Sequence, residues 1–172
     1  MTTPDARKQL VSNALTMLAR KQHFIYSEAG NRMTFEHQSP IAWPVTTDCS
    51  GFVTLCCYTA GMADPNGVNY SGNGYTGTLL SHNPHITAAQ VVPGDAVVYG
   101  PGAGWHTAIV VEVHGPDILT VSHGQQGDPS LVWVNAPNTV PANGHPVDGR
   151  QPQTFIRFNT AQVRPPVSIP AA

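Results

Sequence analysis

"TTDCSGFVTLCC", from Thr46 to Cys57, is the stretch of sequence that decides the fold. Asp48 is a residue type that caps helix N-termini, and the apolar residues that follow it recur at helical spacing. This pattern predicts a helix that begins at Asp48, runs to about Ala60 and stops at Gly61. The helix carries Cys49 in its first turn, and that position raises the question of what the thiol does.

Cys49 has two interpretations. A free cysteine is often only a small, buried apolar residue. At a helix start, however, unpaired backbone N–H groups and the positive end of the helix dipole stabilise a thiolate, and a nearby imidazolium stabilises it further. We therefore expect Cys49 to be a nucleophilic thiolate. Cys56 and Cys57 lie about two turns further along and are expected to be core residues.

A nucleophilic cysteine needs a base, and the base needs a group that orients it. Among the eight histidines, His106 opens a predicted strand after "GPGAGW" and His123 closes the next one, "ILTVSH". If the connection between these strands is centred between His114 and Gly115, His106 and His123 face each other across the hairpin. This register places two imidazoles at one end of an apolar sheet face.

The remaining sequence predicts an α+β fold. The N-terminal segment predicts a helix from about Pro4 to Lys21, with Thr3 as its N-cap. Residues Met62 to Ile86 form a Gly- and Asn-rich loop with a helical turn near Thr78 to Ser81. After Val91, Gly/Pro clusters separate the predicted strands "DAVVY", "HTAIVVEV", "ILTVSH", "LVWV" and "TFIRF". Helices followed by strands are typical of helices packed on an antiparallel sheet.

Composition limits the classes of partner. A chain of 172 residues fits one domain, which we place at residues 1–164, with residues 165–172 as a Pro-rich tail or linker. A net charge of −2 with 10% charged residues excludes a nucleic-acid surface. Three cysteines, two of them adjacent, predict no disulfide framework. We expect neither a signal peptide nor a membrane span, and a monomer without cofactor or metal.

The segments "DCSGFV", "PGDAVVYGPGAGWHTAIVVE" and "VSHG" together resemble the NlpC-type cell-wall peptidases, papain-like enzymes that cut the stem peptides of peptidoglycan. The resemblance spans about Phe24 to Gly124. It implies a papain-like fold in which N-terminal helices pack on a five- or six-stranded antiparallel sheet. It also implies a cysteine endopeptidase that cleaves near D-glutamate and diaminopimelate in the stem peptide.

Carried over residue by residue, the resemblance implies a Cys-His-His triad. The nucleophile is Cys49, the general base is His106, and His123 is the polar residue that orients the base. Tyr26 resembles the tyrosine that contributes to the oxyanion site of the family. Two further residues, Asp48 and Ser50, flank the nucleophile where the family contacts its peptide substrate.

The loop sequences "DPNG" and "GYTGTLL" resemble the peptidase domains of phage endolysins, notably from phages that infect actinobacteria. The resemblance implies a bacteriolytic protein made in the host cytoplasm without a signal peptide. Such a protein would reach the cell wall after release through a holin-made lesion.

Three alternatives stay open at the level of sequence. An amidase on the same fold would cleave between muramic acid and L-alanine. A catalytically silent module would bind the cell wall without cutting it. A metal-dependent hydrolase would use His82 and His85, but Pro84 between them disfavours a regular helix and no third ligand is implied by spacing.

Overall fold

The computed structural model describes residues 5–124, 128–135 and 151–171, together with the backbone of residues 141–142 and 145–146. Three α-helices lie in the N-terminal half: α1 (Ala6–Leu18), α2 (Cys49–Thr59) and α3 (Thr76–His82). The strands in chain order are β1 (Phe24–Tyr26), β2 (Val45–Thr47), β3 (His85–Ile86), β4 (Ala96–Tyr99), β5 (His106–His114), β6 (Asp117–His123), β7 (Pro129–Trp133), β8 (Pro141–Ala142), β9 (His145–Pro146) and β10 (Gln153–Ile156).

Six strands form the main sheet in the order β3-β10-β4-β5-β6-β7, and all neighbours in it are antiparallel. Strand β10 lies between β3 and β4, although the segment from β5 to β9 separates it from β4 in the chain. Strands β1 and β2 form a separate parallel pair. The predicted α+β fold with a five- or six-stranded antiparallel sheet is confirmed.

Apolar side chains fill both sides of the sheet. One cluster joins α1 and α2 to the sheet and includes Leu10, Phe52, Ile109 and Val121. The other lies on the opposite face and includes Val97, Tyr99, Ala108, Val110 and Phe155. Every residue of β4 is buried, because both faces of that strand are covered.

The two main helices begin at acidic caps. Asp5 accepts a hydrogen bond from the backbone N–H of Arg7 at 3.1 Å and caps α1; the predicted cap Thr3 lies outside the described residues. Asp48 caps α2 as predicted, and Gly61 follows the helix with a φ of +74°. This left-handed conformation is one that glycine adopts without strain, so the predicted stop is confirmed.

Asp95 joins three parts of the chain. Its fully buried carboxylate accepts hydrogen bonds from Arg7 of α1 at 2.8 Å and from Arg157, just after β10, at 2.9 Å and 3.0 Å. Burial raises the pKa of this carboxyl, but the hydrogen bonds from Arg157 and Arg7 outweigh that effect and hold the pKa below its ordinary value. A buried carboxylate with two cationic partners connects α1, the main sheet and the segment that follows β10.

The Pro-rich segment after Arg164 packs against the domain. The backbone N–H of Val167 donates to the carbonyl of Thr59 at 3.0 Å, and Ile41 donates to the carbonyl of Ser168 at 3.3 Å. The side chain of Val167 is 9% exposed and belongs to the core. The described part of this segment therefore has backbone and apolar contacts that an unattached linker lacks, and the domain boundary at residue 164 stays a prediction.

Within the described residues, we find no helix with both the length and the apolar character needed to cross a bilayer.

Candidate active site

Cys49 is held at the first position of α2 by the geometry of its neighbours. The Asp48 carboxylate accepts the backbone N–H of Gly51 at 2.6 Å and the hydroxyl of Ser50 at 2.9 Å. A Cβ added at Gly51 would lie 2.8 Å from the carbonyl oxygen of Arg32, which is too close for a real side chain. Glycine at this position therefore lets the first turn lie against the segment that carries Arg32.

The Cys49 thiol is almost closed off from solvent, with a relative exposure of 7%. Burial, and next the negative charge of Asp48, raise its pKa to about 12. The backbone N–H groups of Thr107 and Ser50 donate to the sulfur and act in the opposite direction. Because burial prevails, the expected resting thiolate is wrong, and the free protein carries a protonated thiol.

The structure corrects the predicted register of the β5–β6 hairpin. Val121 pairs with Ile109 and not with Ala108, and the register shifts again between Val110 and Glu112 at a bulge. The hairpin is therefore displaced by one residue from the prediction near the site. A displacement of one residue moves side chains to the other face of a strand, so the predicted pairing of His106 with His123 is wrong.

His106 contacts Ser122. Its Nε2 atom lies 2.5 Å from the Ser122 hydroxyl oxygen, and its ring stacks on Tyr99 with centroids 6.2 Å apart. Burial, and next the electrostatic influence of the His123 ring, lower the pKa of His106 to about 4. The imidazole is therefore neutral at neutral pH, and its Nδ1 atom is buried without a hydrogen-bond partner among the described residues.

His123 lies on the other face of β6, because successive side chains of a strand point in opposite directions. Its Nδ1 atom is hydrogen-bonded to the Thr47 hydroxyl at 2.7 Å. Aromatic rings surround it edge-on, with centroids 5.3 Å away for Tyr26 and 5.6 Å away for Phe24. Both histidines thus neighbour groups at the start of α2: His106 precedes Thr107, whose N–H bonds the Cys49 sulfur, and His123 contacts Thr47. The predicted orienting role of His123 stays a prediction.

Tyr26 lies at the cleft, with its hydroxyl donating to the Glu28 carboxylate at 2.8 Å. Burial, and next this hydrogen bond, raise the pKa of Tyr26, so the phenol keeps its proton. Its proton is directed at Glu28 in the free protein. A contribution to an oxyanion site would require the hydroxyl to change partner, and that role stays a prediction.

An open cleft of about 290 Å³ borders the thiol. It contains the predicted substrate contacts Asp48 and Ser50 together with a second acidic side chain, one guanidinium and three large aromatic rings. Its lining residues are Tyr26, Glu28, Arg32, Asp48, Cys49, Ser50, Tyr75, Thr76, Ala103, Gly104 and Trp105. A cleft with both signs of charge and exposed aromatic surface suits a polar peptide that carries charges of both signs.

Arg32 is a cleft residue that sequence reasoning missed. Its guanidinium lies 3.5 Å from the Asp48 carboxylate, donates to the Ser50 hydroxyl at 3.4 Å and donates to the carbonyl of Gly74 at 2.6 Å. It thereby joins the start of α2 to the long loop that precedes α3. An arginine far upstream of the cysteine gives no motif signal, so only the fold reveals this contact.

The histidines of the metal alternative do not converge on a cluster. His85 Nε2 is hydrogen-bonded to the carbonyl of Leu80 at 2.9 Å, and its side chain is exposed. In the part of the chain that the structure describes, there is no group of three or more His, Cys, Asp or Glu side chains placed to hold a metal ion.

No protein-family model and no curated protein sequence matches the chain. Solved structures do match. Resuscitation promoting factor interacting protein RipA, in a form mutated at a cysteine, has a TM-score of 0.54 and 17% identity, covering 89% of this chain and 62% of the matched chain. The peptidoglycan hydrolase RipB of Mycobacterium tuberculosis has a TM-score of 0.50 and 19% identity, covering 88% and 65% of the two chains.

Both matched structures are NlpC/p60 domain proteins, and the chain spans less than two thirds of either one. The chain therefore has the NlpC/p60 fold, and the sequence resemblance to NlpC-type proteins is confirmed at the level of the fold.

Proposed function

We propose that this chain is a peptidoglycan hydrolase of the NlpC type, a cysteine endopeptidase that cleaves the stem peptide near D-glutamate and diaminopimelate. The observation that carries the proposal is the position of Cys49 at a helix start, bordering an open cleft, with its sulfur bonded by the N–H next to His106. The fold shared with the peptidoglycan hydrolase RipB supports it.

The neutral thiol and the neutral imidazole define the chemistry. As the Cys49 sulfur attacks the amide carbon, its proton passes to His106, and the carbonyl oxygen becomes an oxyanion. When the C–N bond breaks, His106 returns that proton to the leaving amine and a thioester remains. Water then attacks the thioester while His106 accepts its proton, and the departing sulfur regains it.

Donors for the oxyanion are present at the helix start. The backbone N–H groups of Ser50 and Thr107 both face the sulfur in the free protein. Fixed N–H donors beside a nucleophile stabilise negative charge that develops next to it. We assign the oxyanion to this end of α2, where Tyr26 is the further donor that the family resemblance implies.

The test is mass spectrometry of soluble fragments released from purified peptidoglycan. We expect wild type to release peptide fragments, and we expect none from Cys49→Ala or His106→Ala. Cys57→Ala is the matched control, because Cys57 is a buried core residue of the same helix and its loss leaves the cleft intact. Wild-type release by Cys49→Ala would end the proposal.

The same spectra distinguish the bond. An endopeptidase leaves part of the stem peptide on the sugar, whereas an N-acetylmuramoyl-L-alanine amidase on the same fold frees the whole stem. The phage-endolysin role, with synthesis in a host cytoplasm and holin-dependent release to the wall, is a proposal that rests on the loop resemblance alone.

A second candidate is a cell-wall-binding module without catalysis. The protonated, nearly buried thiol of Cys49 favours it, because a nucleophile normally carries a lowered pKa. In the same assay such a module would sediment with peptidoglycan while neither wild type nor Cys49→Ala released fragments.

A further inference from the structure

We propose that Ser122, rather than His123, is the positioning residue that orients the base His106. This inference rests on the proposed cysteine hydrolase function and names a member of its catalytic arrangement that the family resemblance does not supply. The observation behind it is the 2.5 Å contact between His106 Nε2 and the Ser122 hydroxyl oxygen, which is buried with both residues 4% exposed.

The two ring nitrogens of His106 have unequal surroundings. Nε2 is engaged by Ser122, whereas Nδ1 is buried and has no hydrogen-bond partner among the described residues. A buried N–H without an acceptor is rarer and costlier than a buried lone pair. The favoured tautomer therefore carries its proton on Nε2, donates it to Ser122 and leaves Nδ1 unprotonated.

An unprotonated Nδ1 is what a base for the thiol requires. His106 immediately precedes Thr107, whose N–H bonds the Cys49 sulfur, and Gly104 and Trp105 line the same cleft as Cys49. In nucleophilic dyads the base acts through one ring nitrogen while a third group holds the other. Ser122 holds Nε2, so Nδ1 is the atom that accepts the thiol proton.

The backbone fixes Ser122 firmly enough for this role. Ser122 pairs with Ser130 of β7 in the interior of the sheet, and its neighbour His123 is hydrogen-bonded to Thr47 on the other face. A hydroxyl is neutral and stabilises an imidazolium less than a carboxylate does. An orienting serine is therefore consistent with a base that stays neutral and accepts a proton only during attack.

The direct test is the tautomer of His106, read by two-bond ¹H–¹⁵N NMR of the free protein near pH 7. In wild type we expect one tautomer, with the proton on Nε2. In Ser122→Ala we expect a mixture of tautomers, and in Ser122→Thr, which keeps the hydroxyl, the wild-type pattern. Thr120→Val is the matched control, because Thr120 is also buried on β6 but its hydroxyl donates to the carbonyl of Val132.

Kinetics give the second readout. We expect kcat for fragment release to fall about 10-fold or more in Ser122→Ala with KM little changed, and Ser122→Thr to restore it. A wild-type tautomer and wild-type kcat in Ser122→Ala would overturn the proposal. So would a tautomer change in His123→Gln that Ser122→Ala does not produce. The NMR experiment needs no substrate, so its outcome is independent of whether the protein proves to be a hydrolase.

Discussion

Cys49 and His106 are both neutral in the free protein. Burial raises the pKa of the thiol to about 12 and lowers the pKa of the imidazole to about 4. A proton moved from sulfur to nitrogen would create two charges in a site that disfavours both. Both pKa shifts therefore disfavour a Cys49 thiolate paired with a His106 imidazolium in the free protein.

Thiol alkylation tests this at the residue scale. We expect iodoacetamide to label Cys49 slowly at pH 7, with the rate rising about tenfold per pH unit up to pH 10, because only the thiolate reacts. Cys49→Ala supplies the background from the two buried cysteines. A rapid reaction that is constant from pH 6 to pH 8 would indicate a preformed thiolate and contradict the neutral pair.

At the scale of elements, the loop before α3 is fastened to the body by buried polar contacts. Glu36 accepts the backbone N–H of Gly72 at 2.6 Å, and Asn66 donates to the Thr54 hydroxyl at 2.9 Å. Together with the contact between Arg32 and Gly74, these bonds fix the strip of chain that brings Tyr75 to the cleft. The loop is thus an ordered wall of the candidate site.

Ionisation of Glu36, which holds this loop, makes the stability of the protein depend on pH. Burial raises the pKa of Glu36 from its ordinary value of 4.5 to about 7. Between these values the folded protein binds more protons than the unfolded chain, so stability falls as pH rises, by on the order of 2 kcal/mol from pH 5 to pH 7. Urea unfolding at both pH values should show this loss in wild type.

Glu36→Gln should remove most of that pH dependence, because the amide oxygen still accepts the Gly72 N–H but cannot ionise. Glu112→Gln, at a carboxylate whose side chain is 55% exposed, is the control and should behave as wild type. An unchanged pH slope in Glu36→Gln would show that another group is responsible.

Elements with a strong sequence period were predicted well. Helix α2, its Asp48 cap and the long strands all appear where the pattern places them, and α3 contains the predicted turn from Thr78 to Ser81. Strands β1 and β2 were missed because three residues each carry no measurable period. The β5–β6 register failed because both faces of β5 are covered near the site, so no alternation of polar and apolar residues marks the bulge at Val111.

The candidate site was predicted only in part for the same reason. Cys49 and its cap follow from local sequence. The contact between His106 and Ser122 depends on the register of the β5–β6 hairpin. The contacts of Arg32 depend on how the loop before α3 folds. Local patterns therefore pointed to the candidate nucleophile, while its surroundings required the tertiary structure.

At the scale of the whole molecule, Asp95 is the point where distant parts of the chain are held together. Asp95→Ala would remove the buried carboxylate that accepts from Arg7 and Arg157, and we expect the free energy of unfolding to fall by about 1–3 kcal/mol, because the guanidiniums left behind are partly exposed. Asp117→Ala, at an exposed position of β6, is the control and should change stability little. Urea unfolding at pH 7 measures both.

The Asp95 carboxylate also makes the stability of the protein depend on pH in acid. The folded-state pKa of Asp95 lies below its ordinary value of 3.8. Its contribution to the free energy of unfolding is therefore complete above pH 3.8 and is lost as the pH falls through the folded-state pKa. A loss for Asp95→Ala at pH 7 no larger than that of the Asp117 control would contradict the assigned role.

The insertion of β10 between β3 and β4 bears on how the protein is made. A ribosome delivers β4 long before β10, so β4 waits with one edge unpaired while the intervening chain is synthesised. Unpaired strand edges are templates for association with other chains. Nascent chains stalled before residue 153 would thus lack the strand that joins β3 to the sheet, and premature termination there would yield aggregation-prone products rather than a smaller working domain.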